Sequence, residues 1–328
     1  MESEPANINN PKKNILETTL KERALSLVQS WHNGQVFLAS NSSYRKKEIE
    51  NLGFKNIQAL SVPDDVENKK TEDIKNNESK HGGFFDPYKT EIPLRIAHEK
   101  VDNILKHNNV PPDAMVVALD TLPMFFPYND LSKNSLTTTM WSAKHLSKPK
   151  DETTARLAIK EMFENILLGY KRSKELLGHL SEEMDEKQQK IVSSTLSMGY
   201  LPVLVVINTG IAIRFPNSTE ISTTSSHQNI RLNRVCAIED GSSDTIDSII
   251  NEVIIAMEKS SLPLTSVSGG IDYSNPEVRK ILQVEEIGFN NLDLEIEPSR
   301  EDLYKGFPSK DFQDFVEREA GNLVRSES

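Results

Sequence analysis

The segment FLASNSSYRKKEI combines residue types that suit a phosphate group. Its apolar residues predict a strand that ends at Ser40, and Ser42 and Arg45 then stand at the start of a predicted helix. Two hydroxyl groups, a guanidinium and the positive end of a helix dipole together favour an anion. The same residues also fit an ordinary serine N-cap with a solvated basic first turn, so the pattern alone leaves both interpretations open.

A carboxylate, Asp120, follows the apolar run AMVVAL and is the second candidate. A carboxylate at the end of a buried strand can hold a divalent cation or take a proton from water. Ligands of open α/β sheets bind where the strands end, which favours a chemical role. The alternative is that Asp120 caps a turn or a helix.

Two lysines could bind phosphate oxygens. Lys148 precedes Pro149, which holds it extended, so that its ammonium group can be aimed. Lys100 lies on a predicted helix beside Ala97 and Val101. The alternatives are an exposed loop lysine and a lysine whose stem snorkels to solvent. The chain has no GxxxxGK[ST], GxGxxG, HExxH or GxSxG motif to compete with these positions.

The elements that must position these residues alternate between strands and helices. Apolar runs predict strands at 35–40, 57–62, 114–119, 203–215 and 231–238, and helical spacing predicts helices at 14–30, 44–52, 90–107, 151–167, 245–259 and 306–319. A charged stretch at 171–190 is interpreted as a solvated helical insertion. The sequence shows no repeat period, and the alternation predicts the α/β class.

The composition narrows the class of ligand. The 328 residues carry a net charge of -11, spread along the whole chain. Such a surface repels nucleic-acid phosphates, so no nucleic-acid polymer is expected as a partner. A free nucleotide can still enter a locally basic pocket together with a cation.

The sequence also predicts the compartment. The single cysteine, Cys236, cannot form an intramolecular disulfide. The first ten residues have the character of neither a secretory signal nor a transit peptide. The longest apolar run, near residues 203–207, is too short to cross a bilayer. These features predict a cytoplasmic protein without a membrane partner.

Eight segments, in order over residues 35–320, resemble the motifs of the Maf family of nucleoside-triphosphate pyrophosphatases. LASNSSYRKKEIENLG is similar to LASxSPRRxELLxxLG without a gap, VVALDT to the strand that ends in ADT, and SKPKDETTA to GKPxxxxxA. The remaining five segments, each given with the family motif that it resembles in parentheses, are DDVEN (DVDE), LRIAHEKV (LxxAxxKA), INTGIAI (xTGVAL), SVSGGIDY (AGAYGIQG) and YKGFPSKDF (VGLPLxxF). Each segment is short, and their shared order is what identifies the family.

The resemblance implies an α/β fold of the Maf and inosine-triphosphate-pyrophosphatase type, with a central twisted mixed sheet flanked by helices. It implies hydrolysis of nucleoside triphosphates to monophosphate and pyrophosphate with a divalent cation, usually Mg²⁺. By position, Asp120 matches the catalytic carboxylate and Glu67 an acidic position near the metal. Lys100 and Lys148 match the phosphate-binding lysines of the catalytic set.

The substrate-binding positions implied by the resemblance are Ser40, Ser42 and Arg45 for phosphate and Tyr44 and Thr121 for the base. Tyr44 replaces the first arginine of SPRR, whereas Thr121 is kept and follows the pyrimidine-acting branch of the family. The branch associated with 7-methylguanosine triphosphate has a tryptophan at the position of Tyr44, and an aromatic ring gains cation–π attraction on a charged methylated purine. A methylated or otherwise modified base is therefore predicted, with packing of Tyr44 on its own helix as the alternative.

Other departures from the family motifs motivate a second class of function. Ser43, Asn68, Val205 and Ser274 replace the family's proline, second glutamate, histidine and glutamine. A catalytically degenerate protein that binds nucleotides or a partner without turnover is the main alternative. An enzyme of the inosine-triphosphate-pyrophosphatase type is a further alternative. The KP, TG and GFP segments follow the order of the Maf motifs, which argues against this alternative.

The predicted organisation has four parts. Residues 1–33 form an N-terminal extension with a helix, residues 34–322 form the Maf-like domain, and residues 323–328 form a tail. Insertions are predicted near 68–88, 125–145 and 168–200, where the chain exceeds a typical member. Members of the family are often homodimers, which makes a homodimer the expected assembly.

Overall fold

A mixed seven-stranded sheet organises the computed structural model, which describes residues 11–40, 42–63, 91–125, 144–145, 148–179, 204–259, 264–267, 270–273, 275–287 and 308–326. Helices pack on both faces of this sheet. The predicted α/β class is confirmed, and so is the predicted mixed sheet flanked by helices.

The strands divide into a parallel and an antiparallel part. They are β1 (Gln35–Leu38), β2 (Asn56–Ala59), β3 (Met115–Phe125), β4 (Lys144–His145), β5 (Leu204–Arg214), β6 (Ile221–Leu232) and β7 (Val284–Glu286). Their order is β2-β1-β3-β5-β6-β7, and β4 pairs with β3. β2, β1 and β3 run parallel, while β3, β5, β6 and β7 pair antiparallel in sequence.

The helices surround the sheet. They are α1 (Pro11–Asn33), α2 (Ser43–Asn51), α3 (Ile92–His107), α4 (Glu152–His179), α5 (Asn233–Ala237), α6 (Ile246–Lys259), α7 (Pro276–Leu282) and α8 (Ser309–Ser326), with a 3₁₀ turn at Leu264–Ser266. Within the described residues, no helix is both long enough and apolar enough to span a membrane.

Three apolar clusters form the core. The terminal-helix cluster packs α1, α2 and α8 against one end of the sheet and includes Trp31 and Phe312. The central-helix cluster packs α4, α5, α6 and α7 against the other end of the same face. The α3 cluster covers the opposite face. Since the Trp31 ring lies 4.7 Å from that of Phe215, the helix of the predicted extension is part of the core.

Two predicted boundaries differ from the structure. The strand predicted at 231–238 is wrong, because β6 ends at Leu232 and residues 233–237 form α5. A short apolar run such as VCAI fits a strand and a buried helix equally well. The insertion predicted at 168–200 begins inside α4, which continues to His179.

The other predicted segment limits fall as follows. α8 extends to Ser326 with Val324 buried, beyond the predicted domain end at 322. The insertion predicted near 68–88 lies outside the described residues, as do most of 125–145 and the rest of 168–200.

A glycine on β5 determines how closely α3 approaches the sheet. A Cβ atom on Gly210 would lie 2.3 Å from the backbone of Pro93 and 2.3 Å from the nitrogen of Leu94, at the start of α3. Gly210 is also the register partner of Asp120 on β3. The missing side chain therefore lets α3 lie directly against the strand pair that carries Asp120.

Gly210→Ala is expected to lower the free energy of unfolding by about 2 kcal/mol, because the added methyl group overlaps backbone atoms that must shift. Urea denaturation measures the change. Gly321→Ala is the matched control, because its Cβ meets nothing within 4 Å and it lies inside α8. This control should gain about 0.5–1 kcal/mol from helix propensity. Equal effects of the two substitutions would contradict the close approach of α3.

Candidate active site

The candidate site lies along an open stretch of β3. β1 pairs with β3 only as far as Leu38 opposite Val117, and β4 pairs with β3 from Met124. Because β5 occupies the other edge of β3, residues 118–123 have no neighbour on the β1 side among the strands that the structure describes. We call this stretch the β3 notch. It contains Asp120, which therefore lies inside a strand, and the predicted strand end at residue 119 is wrong.

Arg45 fills part of the notch. Its Nη1 donates to the carbonyl oxygen of Leu119 at 2.8 Å, and its Nη2 donates to Thr121 Oγ1 at 3.3 Å. The Leu119 carbonyl points to the side where β1 has ended, since Val117 on the same side accepts from Ala39. In the described part of the chain no acidic side chain forms an ion pair with Arg45. The guanidinium charge therefore remains available to an anion.

The two serines form the turn that leads from β1 into α2. Ser42 caps the helix, since its Oγ accepts from the Arg45 nitrogen at 3.2 Å, and Ser40 Oγ accepts from the Ser42 nitrogen at 3.2 Å. The alternative of a serine N-cap is thus observed. It does not exclude phosphate binding, because each hydroxyl accepts here and keeps its own hydrogen to donate.

A buried ion pair lies on the other face of β3. Lys100 Nζ donates to Asp120 Oδ1 at 2.7 Å, and the two side chains are 7% and 10% exposed. Successive strand side chains alternate between faces, so Asp120 points toward α3 while Thr121 points away from it. A buried ion pair gives little net stability compared with apolar residues of similar volume. Its presence at the notch therefore favours a chemical role.

The two remaining catalytic and metal positions are less defined. Lys148 is exposed and Pro149 is buried, in the segment that leads from β4 into α4. Because β4 pairs with β3 at Met124 and Phe125, this segment starts from the far end of the notch. Glu67 lies outside the described residues, so its predicted place near a metal stays a prediction.

Tyr44 is half-buried and packs against the terminal-helix cluster. Its hydroxyl oxygen is buried and has no hydrogen-bond partner among the described residues. Burial raises the pKa of the Tyr44 phenol, the carboxylates of Glu48 and Asp272 raise it further, and Arg279 opposes them. Asp272 and Arg279 belong to the segment around α7, so Tyr44 lies where the two ends of the sheet face meet.

Two residues that shape the site were not identified as candidates from the sequence. Thr209 Oγ1 lies 3.2 Å from Thr121 Oγ1, and Gly210 stands opposite Asp120. Both belong to the INTGIAI segment, whose resemblance to xTGVAL was visible but whose register against β3 was not. Thr209 is 3% exposed.

The comparison with known families matches the part of the chain that carries the predicted site residues. Residues 35–168 match the model of a family described as Maf-like protein. That range starts at β1 and ends in α4, so it contains all the described candidate residues, from Ser40 to Lys148. No curated protein matches the chain. The Maf family is associated with nucleoside-triphosphate pyrophosphatase activity and generally depends on a divalent metal. The match over residues 35–168 supports Maf-like family membership for this part of the chain.

Proposed function

We propose that this protein hydrolyses nucleoside triphosphates between the α and β phosphates, releasing a nucleoside monophosphate and pyrophosphate. The observation that carries the proposal is the buried Lys100–Asp120 pair, 2.7 Å apart, at the open edge of β3. Arg45 approaches the same edge from the other face. A carboxylate paired with one cation, with a second cation bound to the neighbouring residues of the same strand, suits an anionic substrate and an attacking water.

The charges at the notch complement a polyphosphate. The Arg45 guanidinium offers planar donors that suit phosphate oxygens, and the start of α2 beside it has the positive end of a helix dipole. Lys148, which is exposed in the segment before α4, is the third proposed cation. Preorganised cations and donors stabilise the charge that develops on a leaving pyrophosphate. They also explain how a chain with a net charge of -11 can bind an anion.

Asp120 is the group proposed to act on water. Lys100 contacts Oδ1, one of its two carboxylate oxygens, and no other hydrogen bond of Asp120 is formed within the described ranges. The second oxygen can therefore accept a proton from a water that attacks the phosphate chain. Lys100 fixes the orientation of the carboxylate while it does so.

The donor set fits a cation that arrives with the substrate. The described residues hold no group of three or more histidine, cysteine, aspartate or glutamate side chains suited to a metal. Mg²⁺ is usually bound by one or two carboxylates plus substrate phosphates, and Asp120 supplies one such carboxylate. Glu67 is the proposed second. When bound, Mg²⁺ would neutralise phosphate charge.

A pyrophosphate-release screen tests the proposal. The full chain with Mg²⁺ is given ordinary, methylated and deaminated nucleoside triphosphates, including those of 7-methylguanosine, uridine and thymidine. We expect pyrophosphate release, with a methylated or otherwise modified base preferred because Tyr44 is aromatic. Nucleotide binding without release would instead support a degenerate binding protein. A preference for inosine triphosphate would support the inosine-triphosphate-pyrophosphatase alternative.

A further inference from the structure

We propose that Thr209 is a positioning residue that holds Arg45 at the notch through Thr121. The inference rests on the proposed function for its kinetic consequence and on the hydrogen bonds for its geometry. Thr209 lies on β5, 88 residues from Thr121 in sequence, and contacts it across the antiparallel pair.

Two hydrogen bonds meet at the Thr121 hydroxyl oxygen. Arg45 is a donor only, so Thr121 Oγ1 must accept from its Nη2. Thr121 Oγ1 also shares a hydrogen bond with Thr209 Oγ1, 3.2 Å away, in which either hydroxyl can donate and which limits the rotation of the Thr121 hydroxyl. Hydrogen bonds in such a chain polarise one another. Thr209 therefore keeps the lone pair of Thr121 turned toward the guanidinium.

The surroundings make this role specific. On the same face of the sheet, Leu119 and Ile211 belong to the terminal-helix cluster, while Phe125 and Ile207 belong to the central-helix cluster. Thr209 lies between these apolar groups and is 3% exposed. Water is therefore a poor substitute for its hydroxyl. Without Thr209 Oγ1, the Thr121 hydroxyl would be free to rotate and Arg45 would lose a fixed acceptor.

The test compares Thr209→Val, which removes the hydroxyl at nearly constant shape, with Thr209→Ser, which keeps it. We expect Thr209→Val to raise the KM for the nucleoside triphosphate about tenfold, the size of one buried hydrogen bond. Its kcat should stay within about twofold, and Thr209→Ser should restore the KM to within about twofold of wild type. Thr224→Val, on β6 opposite Ile211, is the matched control and should leave KM unchanged.

A binding measurement distinguishes a failure of this inference from a failure of the proposed function. Calorimetry measures the Kd of inorganic triphosphate with Mg²⁺ for wild type, Thr209→Val and Thr209→Ser. If wild type binds inorganic triphosphate but releases no pyrophosphate from nucleoside triphosphates, the proposed function is wrong. A Kd raised about tenfold in Thr209→Val alone would still support the role of Thr209. Equal KM and Kd values in all three proteins would overturn it.

A third readout needs no ligand. Urea midpoints are measured for Thr209→Val, Arg45→Gln and the double variant. The loss of stability in the double variant should be clearly smaller than the sum of the losses in the two single variants, because both substitutions break the same chain of hydrogen bonds. Additive losses would show that Thr209 and Arg45 are independent and would overturn the inference even if the chain binds no triphosphate.

Discussion

Asp120→Asn is expected to lower the rate of pyrophosphate release by at least about 100-fold, the size of a lost general base. The amide keeps the size of the side chain and an oxygen that accepts from Lys100, but it cannot take a proton from water. Initial rates with saturating substrate and Mg²⁺ measure the effect. A thermal melt followed by circular dichroism should show that the variant is folded.

Asp102→Asn provides the control for Asp120→Asn. Asp102 lies on α3, in an ion pair with the exposed Lys106 and away from the notch. Its loss should leave the rate within about twofold of wild type, since exposed ion pairs contribute little. If Asp120→Asn released pyrophosphate as fast as Asp102→Asn, Asp120 would not be the group that activates water.

The sequence predicted the parts of the site that depend on local order. The turn at Ser40 and Ser42, the helix that carries Lys100 and the strand that leads into Asp120 were all predicted from apolar periodicity and turn residues. These patterns report on neighbours within about one helical turn or one strand. They were sufficient to name the candidates, and the match over residues 35–168 supports the family.

The notch itself could not be predicted, because it depends on where strands pair. β4 has only two residues, Lys144 and His145, and such a segment gives no periodic signal. β6 was missed over most of its length because ISTTSSHQNIRL is polar. That strand is stable because β5 pairs with it along its whole length, which is a tertiary effect.

The contacts between candidates depend on register. Opposing residues on β3 and β5 place Thr121 next to Thr209 and Asp120 next to Gly210. A shift of one residue would turn Thr209 to the other face of the sheet. No local pattern determines the alignment of two strands that lie so far apart in sequence. The contacts of the INTGIAI segment with Asp120 and Thr121 could therefore not be predicted from the sequence.

Lys100→Met is expected to lower the free energy of unfolding by about 3 kcal/mol, because it leaves the buried Asp120 carboxylate without its cation. Pyrophosphate release should also fall, since Lys100 orients that carboxylate. Lys106→Met is the matched control on the same helix. Its ion pair with Asp102 is exposed on the lysine side, so its loss should change stability by no more than about 0.5 kcal/mol.

The double variant Lys100→Met, Asp120→Asn separates charge from packing. If the cost of Lys100→Met is that of an unpaired buried charge, removing the charge of Asp120 should recover most of the lost stability. If the cost is lost packing of the lysine stem, the double variant should be no more stable than Lys100→Met. Urea denaturation of the two single variants and the double variant distinguishes these results. Recovered stability without recovered activity is the expected pair of results, because the ion pair then adds little net stability while its charges are needed for the reaction.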